Sequence, residues 1–161
     1  MSDKVNHPSH YNQQFIEAID IIELFCNSFD FCIGNFLKYI LRAPYKNDAP
    51  FYEHLQKANW YLDRAILNIP MKMDTKIFSK FEHTTMCKYF NNLSNGDENE
   101  YICSDILSNL YGIFNVASAG FPKIDLVAMF NKLHLKLEMK IDELKRAEKE
   151  KENGNKESLR S

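Results

Sequence analysis

The chain has 161 residues, 45% of them hydrophobic and 13% aromatic, with a formal net charge of −2. That length supports one well-cored domain, or a small domain with a helical extension, and excludes two large independent domains. A charge this close to neutral gives no broad attraction to extended nucleic acid or to an anionic membrane surface, so any anion site has to be local.

No apolar run approaches the ~20 residues needed to span a bilayer, and the N-terminus lacks an apolar signal-peptide core, so the expectation is a soluble, cytoplasmic protein. The four cysteines, Cys26, Cys32, Cys87 and Cys103, form no Cys-x-x-Cys pair and mostly sit in apolar stretches. They are expected to be reduced core residues and not zinc ligands.

In chain order, a polar N-terminal arm precedes Gln14 to Phe29, which is apolar on most sides and carries Glu17, Asp20 and Glu23. Its length, with no Gly or Pro, predicts a buried helix. A second helix is expected from Asp30, a plausible N-cap, to Ala43, because Pro44 disfavours helical geometry in the residue before it. After a loop through Asn47, Asp48 and Pro50, a third helix runs to Ile69 with Leu55, Ala58, Leu62, Ala65, Ile66 and Ile69 at helical spacing, and stops at Pro70.

The second half predicts three more helices. Asp74 to Leu93 is weakly amphipathic and ends in Asn91-Asn92-Leu93-Ser94-Asn95-Gly96, a turn signal. Glu98 to Ser118 places Ile102, Ile106, Leu110, Ile113 and Ala117 on one face, and Gly120 with Pro122 marks the start of a long final helix. There Leu126, Phe130, Leu133, Leu137, Ile141 and Leu144 recur by threes and fours, the spacing of a packing seam. A seam of that length predicts a homo-oligomer, unless the Glu98 to Ser118 helix covers it within the chain. The fold class is all-α: a bundle of about six helices, divided into residues 1–70, residues 71–152 packed on them, and a disordered tail at 153–161.

Several side chains are placed for chemistry. Asn35, Lys38 and Arg42 lie at i, i+3 and i+7, so one helix face carries an amide, an ammonium and a guanidinium, with Lys46 just past the Pro44 turn. Arg and Lys together suit phosphate oxygens, while a solvated face or ion pairs to Glu17, Asp20 and Glu23 would be the structural use of the same residues. His7 and His10 flank Pro8 and Ser9 on an extended arm able to deliver an imidazole. Glu17 and Asp20 are three apart and offer hard oxygens for magnesium, a partner for a cation, or a seat for a hydrolytic water. Glu53, Lys57, Tyr61 and Arg64 share a face of the third helix, Tyr61 being the candidate to stack a base; Trp60, the single Trp, is expected in the core. No P-loop, Gly-x-Gly-x-x-Gly or His-Glu-x-x-His motif is present, so phosphates would have to be held by side chains and helix termini.

Four motifs also occur in a fixed order: His7-Pro8-Ser9-His10-Tyr11, Ile16-Glu17-Ala18-Ile19-Asp20, Gly34-Asn35-Phe36-Leu37-Lys38-Tyr39 with Arg42, and Lys57-Ala58-Asn59-Trp60-Tyr61-Leu62. In this the stretch from Val5 to Ile66 resembles the SaV-like family of small bacteriophage proteins. The resemblance implies a phage-encoded protein of the host cytoplasm, and its characterised branch phosphorylates deoxynucleoside monophosphates without a P-loop. Carried over, it implies a nucleotide site with His10, Glu17 and Asp20 in catalytic positions. His7, Tyr11, Asn35, Lys38, Arg42, Lys46, Lys57 and Tyr61 would contact nucleotide, with magnesium on Glu17 and Asp20. Two positions depart from the family: Pro44 stands where Gly is usual, and His54 where an acid is usual. Those departures leave a nucleotide-sequestering or host-interacting protein as the non-enzymatic expectation. The second half, with Asp105 on a helix followed by Gly120 and a long helix, is loosely similar to MazG-type nucleotide pyrophosphohydrolases, which keeps hydrolysis as a third.

Overall fold

The structure, a computed structural model, describes residues 17–26, 31–69, 78–120 and 122–158. Among them it forms six α-helices and no strand: α1 (Ala18–Cys26), α2 (Phe31–Arg42), α3 (Phe51–Leu67), α4 (Lys80–Ser94), α5 (Glu98–Ser118) and α6 (Lys123–Ser158), with a 3-10 turn at Ala43–Tyr45. The all-α class predicted from the sequence is the observed one.

Helix α2 is the centre of the bundle because its apolar residues form a stripe, Ile33, Phe36, Leu37, Ile40 and Leu41, that is buried along its whole length. Phe36, Leu37 and Ile40 are wholly enclosed, and full burial of such a side chain contributes roughly 1.5–3 kcal/mol each. α2 packs against α1, α3 and α5, α6 lies across α3 and α5, and α4 packs on α5. Phe25 at the end of α1 meets Phe114 of α5 edge to face at 4.9 Å, joining the two halves in one core.

Local chemistry sets the helix ends. Pro44 cannot continue α2, and the chain tightens into the 3-10 turn before Lys46 becomes extended. Tyr45 donates its hydroxyl proton to Glu100 Oε1 at 2.7 Å, pinning that turn to the start of α5. Both α4 and α5 begin with capping boxes, Ser79 with Glu82 and Asp97 with Glu100, each satisfying two otherwise orphaned backbone N–H groups. Gly120, at φ +81°, ends α5 in the left-handed conformation that glycine adopts without strain.

Four expectations change. The predicted Asp74–Leu93 helix starts at Lys80, because the Ser79 cap and the packing of Phe78 on His83, rings 5.9 Å apart, fix the entry of the chain there. The tail expected to be disordered from residue 153 continues α6 to Ser158. Cys103 is buried as expected, whereas Cys87 is exposed. The α6 seam is covered within the chain: Leu126, Phe130, Leu133, Leu137 and Ile141 are all at most 4% exposed, against α3 and α5. The apolar stripe that argued for a homo-oligomer is therefore already satisfied. No helix of the described residues is long and apolar enough to cross a membrane.

Candidate functional site

The i, i+3, i+7 face of α2 and the Lys57 to Asn68 stretch of α3 meet along one side of the bundle. Their contact is aromatic. Tyr61 of α3 is stacked on Tyr39 of α2, centroids 5.7 Å apart and planes 20° from parallel, and its edge meets Phe31 at 6.2 Å. Lys38 Nζ lies 5.9 Å from the Tyr39 centroid, so a cation, two stacked phenols and a phenyl ring run in sequence along the α2–α3 seam. Beside them opens a cleft of about 650 Å³ lined by Phe31, Cys32, Trp60, Tyr61, Arg64 and Asn68.

Trp60, expected in the core, is 54% exposed. It lies off the buried Leu55, Ala58, Leu62, Ala65 stripe, and its indole is covered on one side by the Arg64 guanidinium, 4.8 Å from the ring centroid, one helical turn along. Phe31, 73% exposed at the first turn of α2, completes the aromatic wall. Sequence reasoning placed Arg64 on one face with Lys57 and Tyr61 but did not single out Phe31 or Asn68, which line the cleft beside it.

The other candidate residues distribute unevenly. Asn35 is half-buried, and its side-chain N–H donates to the Phe31 carbonyl of its own helix at 2.9 Å, which leaves its amide oxygen as the group able to meet a ligand. Lys57 is exposed on α3, and Arg42 is half-buried at the end of α2. Lys46 turns to Asp48, 2.8 Å away, and this pairing holds the Asp48 carboxyl below its ordinary range. Lys46 is thus committed to its own loop. His7, His10 and Tyr11 lie outside the described residues.

Glu17 is half-buried ahead of α1, and Asp20 and Glu23 are exposed on it. The acidic stripe therefore faces solvent, and the cost of burying carboxylates does not arise for Asp20 or Glu23. Asp20 Oδ2 accepts the Glu17 backbone N–H at 3.3 Å, a helix-start cap. Among the described residues no three His, Cys, Asp or Glu side chains converge as a metal site. A magnesium ion held by one or two carboxylates completes its shell with water and substrate phosphates, so the donor chemistry of Glu17 and Asp20 suits it.

His54 is buried at 4% exposure, with Nε2 3.3 Å from Asp48 Oδ1. Burial lowers the imidazole pKa from its ordinary value and outweighs the opposing pull of Asp48.

Residues 5–63 match the family model described as Protein of unknown function (DUF3310). The matched segment carries α1, α2 and most of α3, the elements that build the aromatic cleft, and stops before Arg64 and Asn68. No curated protein and no solved structure matches the chain. Beyond the matched segment, Asp105 is half-buried and holds Lys136 of α6 at 2.6 Å and Asn109 at 3.2 Å. That carboxylate ties α5 to α6.

Proposed function

We propose that the α2–α3 face binds a nucleotide in a phage protein of the SaV-like type, acting in the host cytoplasm as a P-loop-less (deoxy)nucleoside monophosphate kinase. One observation carries the reading: the Lys38, Tyr39, Tyr61, Phe31 series leading to the cleft, in which stacking surface for a base and cations for phosphate occur on the same two helices. The base lies against Tyr61, Phe31 and Trp60, while Lys38, Arg42 and Lys57 take the phosphates. Arg42, with its fork of donors, orients the phosphoryl group, and Lys38 adds a mobile charge. Magnesium, when bound, neutralises phosphate charge from Glu17 and Asp20. The family resemblance assigns His7, His10 and Tyr11 to the same site.

A binding-only reading has one specific support. With His54 buried against Asp48, α3 lacks the second carboxylate that the family resemblance leads one to expect. Incubation with mixed deoxynucleotides and magnesium, followed by chromatography, separates the readings. New di- or triphosphate supports the kinase, unchanged nucleotide recovered on denaturation supports sequestration, and released pyrophosphate supports hydrolysis. Arg42→Ala should cost about 2–5 kcal/mol of nucleotide binding, and unchanged affinity in a folded variant rejects the site. Self-association through α6, with the seam already covered, would use its outer face, where Leu135 and Met139 are exposed; light scattering at a monomer mass rejects it.

A further inference from the structure

Helix α6 carries a second seam, on the side away from the core. Its buried residues, Leu126, Phe130, Leu133, Leu137 and Ile141, hold it to α3 and α5. On the opposite side Ala128, Lys132, Leu135, Met139, Asp142 and Arg146 are all exposed. These six recur by alternating steps of four and three, the a and d spacing of a two-stranded coiled coil. At its centre Leu135 is 56% and Met139 67% exposed, large apolar side chains facing solvent one turn apart. A seam of this span is about 27 Å long.

The charges on and beside this seam fall into two groups. Those flanking it are engaged within the chain: Lys136 with Asp105 at 2.6 Å, Glu138 with His134 at 3.4 Å, and Lys140 with Glu143 at 2.9 Å. Those on it are not. Lys132 and Asp142 make no ion pair among the described residues, although Lys145 and Arg146 stand one turn from Asp142. The cation lies three residues before Leu135 and the anion three residues after Met139, so the pattern is complementary to its own reverse. That makes a second copy of the chain the partner that fits. A parallel pairing sets each residue against itself, Lys132 on Lys132 and Asp142 on Asp142, and like charges placed so repel. In an antiparallel pairing with Leu135 opposite Met139, Lys132 falls opposite Asp142. Arg146 then falls opposite Ala128, whose small side chain leaves room for the arginine stem. Sliding the register by one heptad puts Lys132 on Leu135 or Asp142 on Met139, so of these arrangements the first alone matches every layer.

We propose that two copies of this chain associate as an antiparallel dimer along the outer seam of α6, with Leu135 against Met139 about the two-fold axis and Lys132 against Asp142 on either side. Asp142 also lines a second cleft, of about 570 Å³, between α3 and α6, beside Asp63 and Glu138. The dimer brings Lys132 of the second copy to the rim of that cleft. Two apolar layers and two exposed ion pairs make a small interface, of the kind that associates weakly.

Sedimentation equilibrium of the full chain tests this. The mass should rise with concentration from 18.9 kDa towards twice that value, with a dissociation constant of about 1 µM to 1 mM. Leu135→Ser combined with Met139→Ser should hold the protein at the monomer mass. Both side chains are exposed, so its helicity and its melting temperature in dilute solution should match the native chain. Lys132→Asp and Asp142→Lys each turn two attractive contacts per dimer into repulsive ones and should weaken association about tenfold. The two exchanges combined in one chain should restore it, because the antiparallel layers are again matched. A monomer mass at every concentration, association unchanged by the two serines, or a double exchange no tighter than the single ones overturns the proposal. None of these variants touches the α2–α3 cleft, so the outcome is independent of the nucleotide reading.

Discussion

Towards α2, helix α3 offers Tyr61 stacked on Tyr39 and edged by Phe31; towards α6 it offers Asn59 and Asp63, beside His134, Glu138 and Asp142. Trp60 stands on the ridge between and lines both clefts. The first flank is apolar area bordered by cations, suited to a flat anionic molecule; the second is polar and mixed in charge, with Asp63, Glu138 and Asp142 beside His134 and Lys145. One helix can present different chemistry on two sides because its buried stripe, Leu55, Ala58, Leu62 and Ala65, anchors it independently of either.

The largest expected effects come from removing the anchor on each side. Phe36→Ala on α2 should cost about 3–5 kcal/mol, and Leu137→Ala on α6 about 2–5 kcal/mol, in urea unfolding. Both residues are at most 1% exposed. A cost below about 1 kcal/mol at Leu137 would show that α6 is not part of the cooperative core and that its flank of the comparison is a surface accident.

Next in size, Tyr61→Ala should weaken nucleotide binding by about 1–3 kcal/mol, the scale of one lost base-stacking partner. Equilibrium dialysis against a deoxynucleotide reads it. Equal loss in Asp63→Asn, on the other flank, would erase the distinction between the two clefts.

A pH profile sharpens the α2 side. Burial lowers the His54 pKa from its ordinary value of 6.5, so the unfolded chain takes up a proton that the folded chain resists. Stability is then full above about pH 6.5 and declines as pH falls towards the folded value. His54→Gln should flatten the melting temperature between about pH 7 and pH 5 relative to the native chain; a slope that survives the change assigns it to another group.

The smallest effect is expected at the α5–α6 tie. Lys136 and Asp105 are both over 40% exposed, so Lys136→Ala should cost less than about 1 kcal/mol despite the 2.6 Å contact, and less still in high salt. A larger loss, measured by thermal unfolding, would mean that this pair sets the position of α6 on which the second cleft depends.

The helices were legible because the signals are local. Spacing by threes and fours placed Leu55, Leu62, Leu133 and Leu137 on buried faces, and Pro44, Pro50 and Gly120 marked boundaries through their own backbone limits. Lys38 and Tyr61 were also found from spacing and residue type, and the fold brings both to one seam. Trp60 was misread because a lone large aromatic is ordinarily core; its exposure follows from lying off the stripe that α2 and α6 cover. The covering of the α6 seam was undetermined for a related reason: periodicity reports that a helix has an apolar face and is silent on which surface meets it.

The sequence by itself determined the class, most of the helix spans and the Asn35, Lys38, Arg42 face of α2, since each depends on residues within a few turns of one another. Tertiary structure alone decided that α6 lies along α3, that Asn59 Oδ1 and His134 Nδ1 are buried without hydrogen-bond partners, and that Asp105 pairs with Lys136. Those outcomes depend on which helices touch, and burial, pairing and desolvation are properties of the contact and not of either strip of sequence.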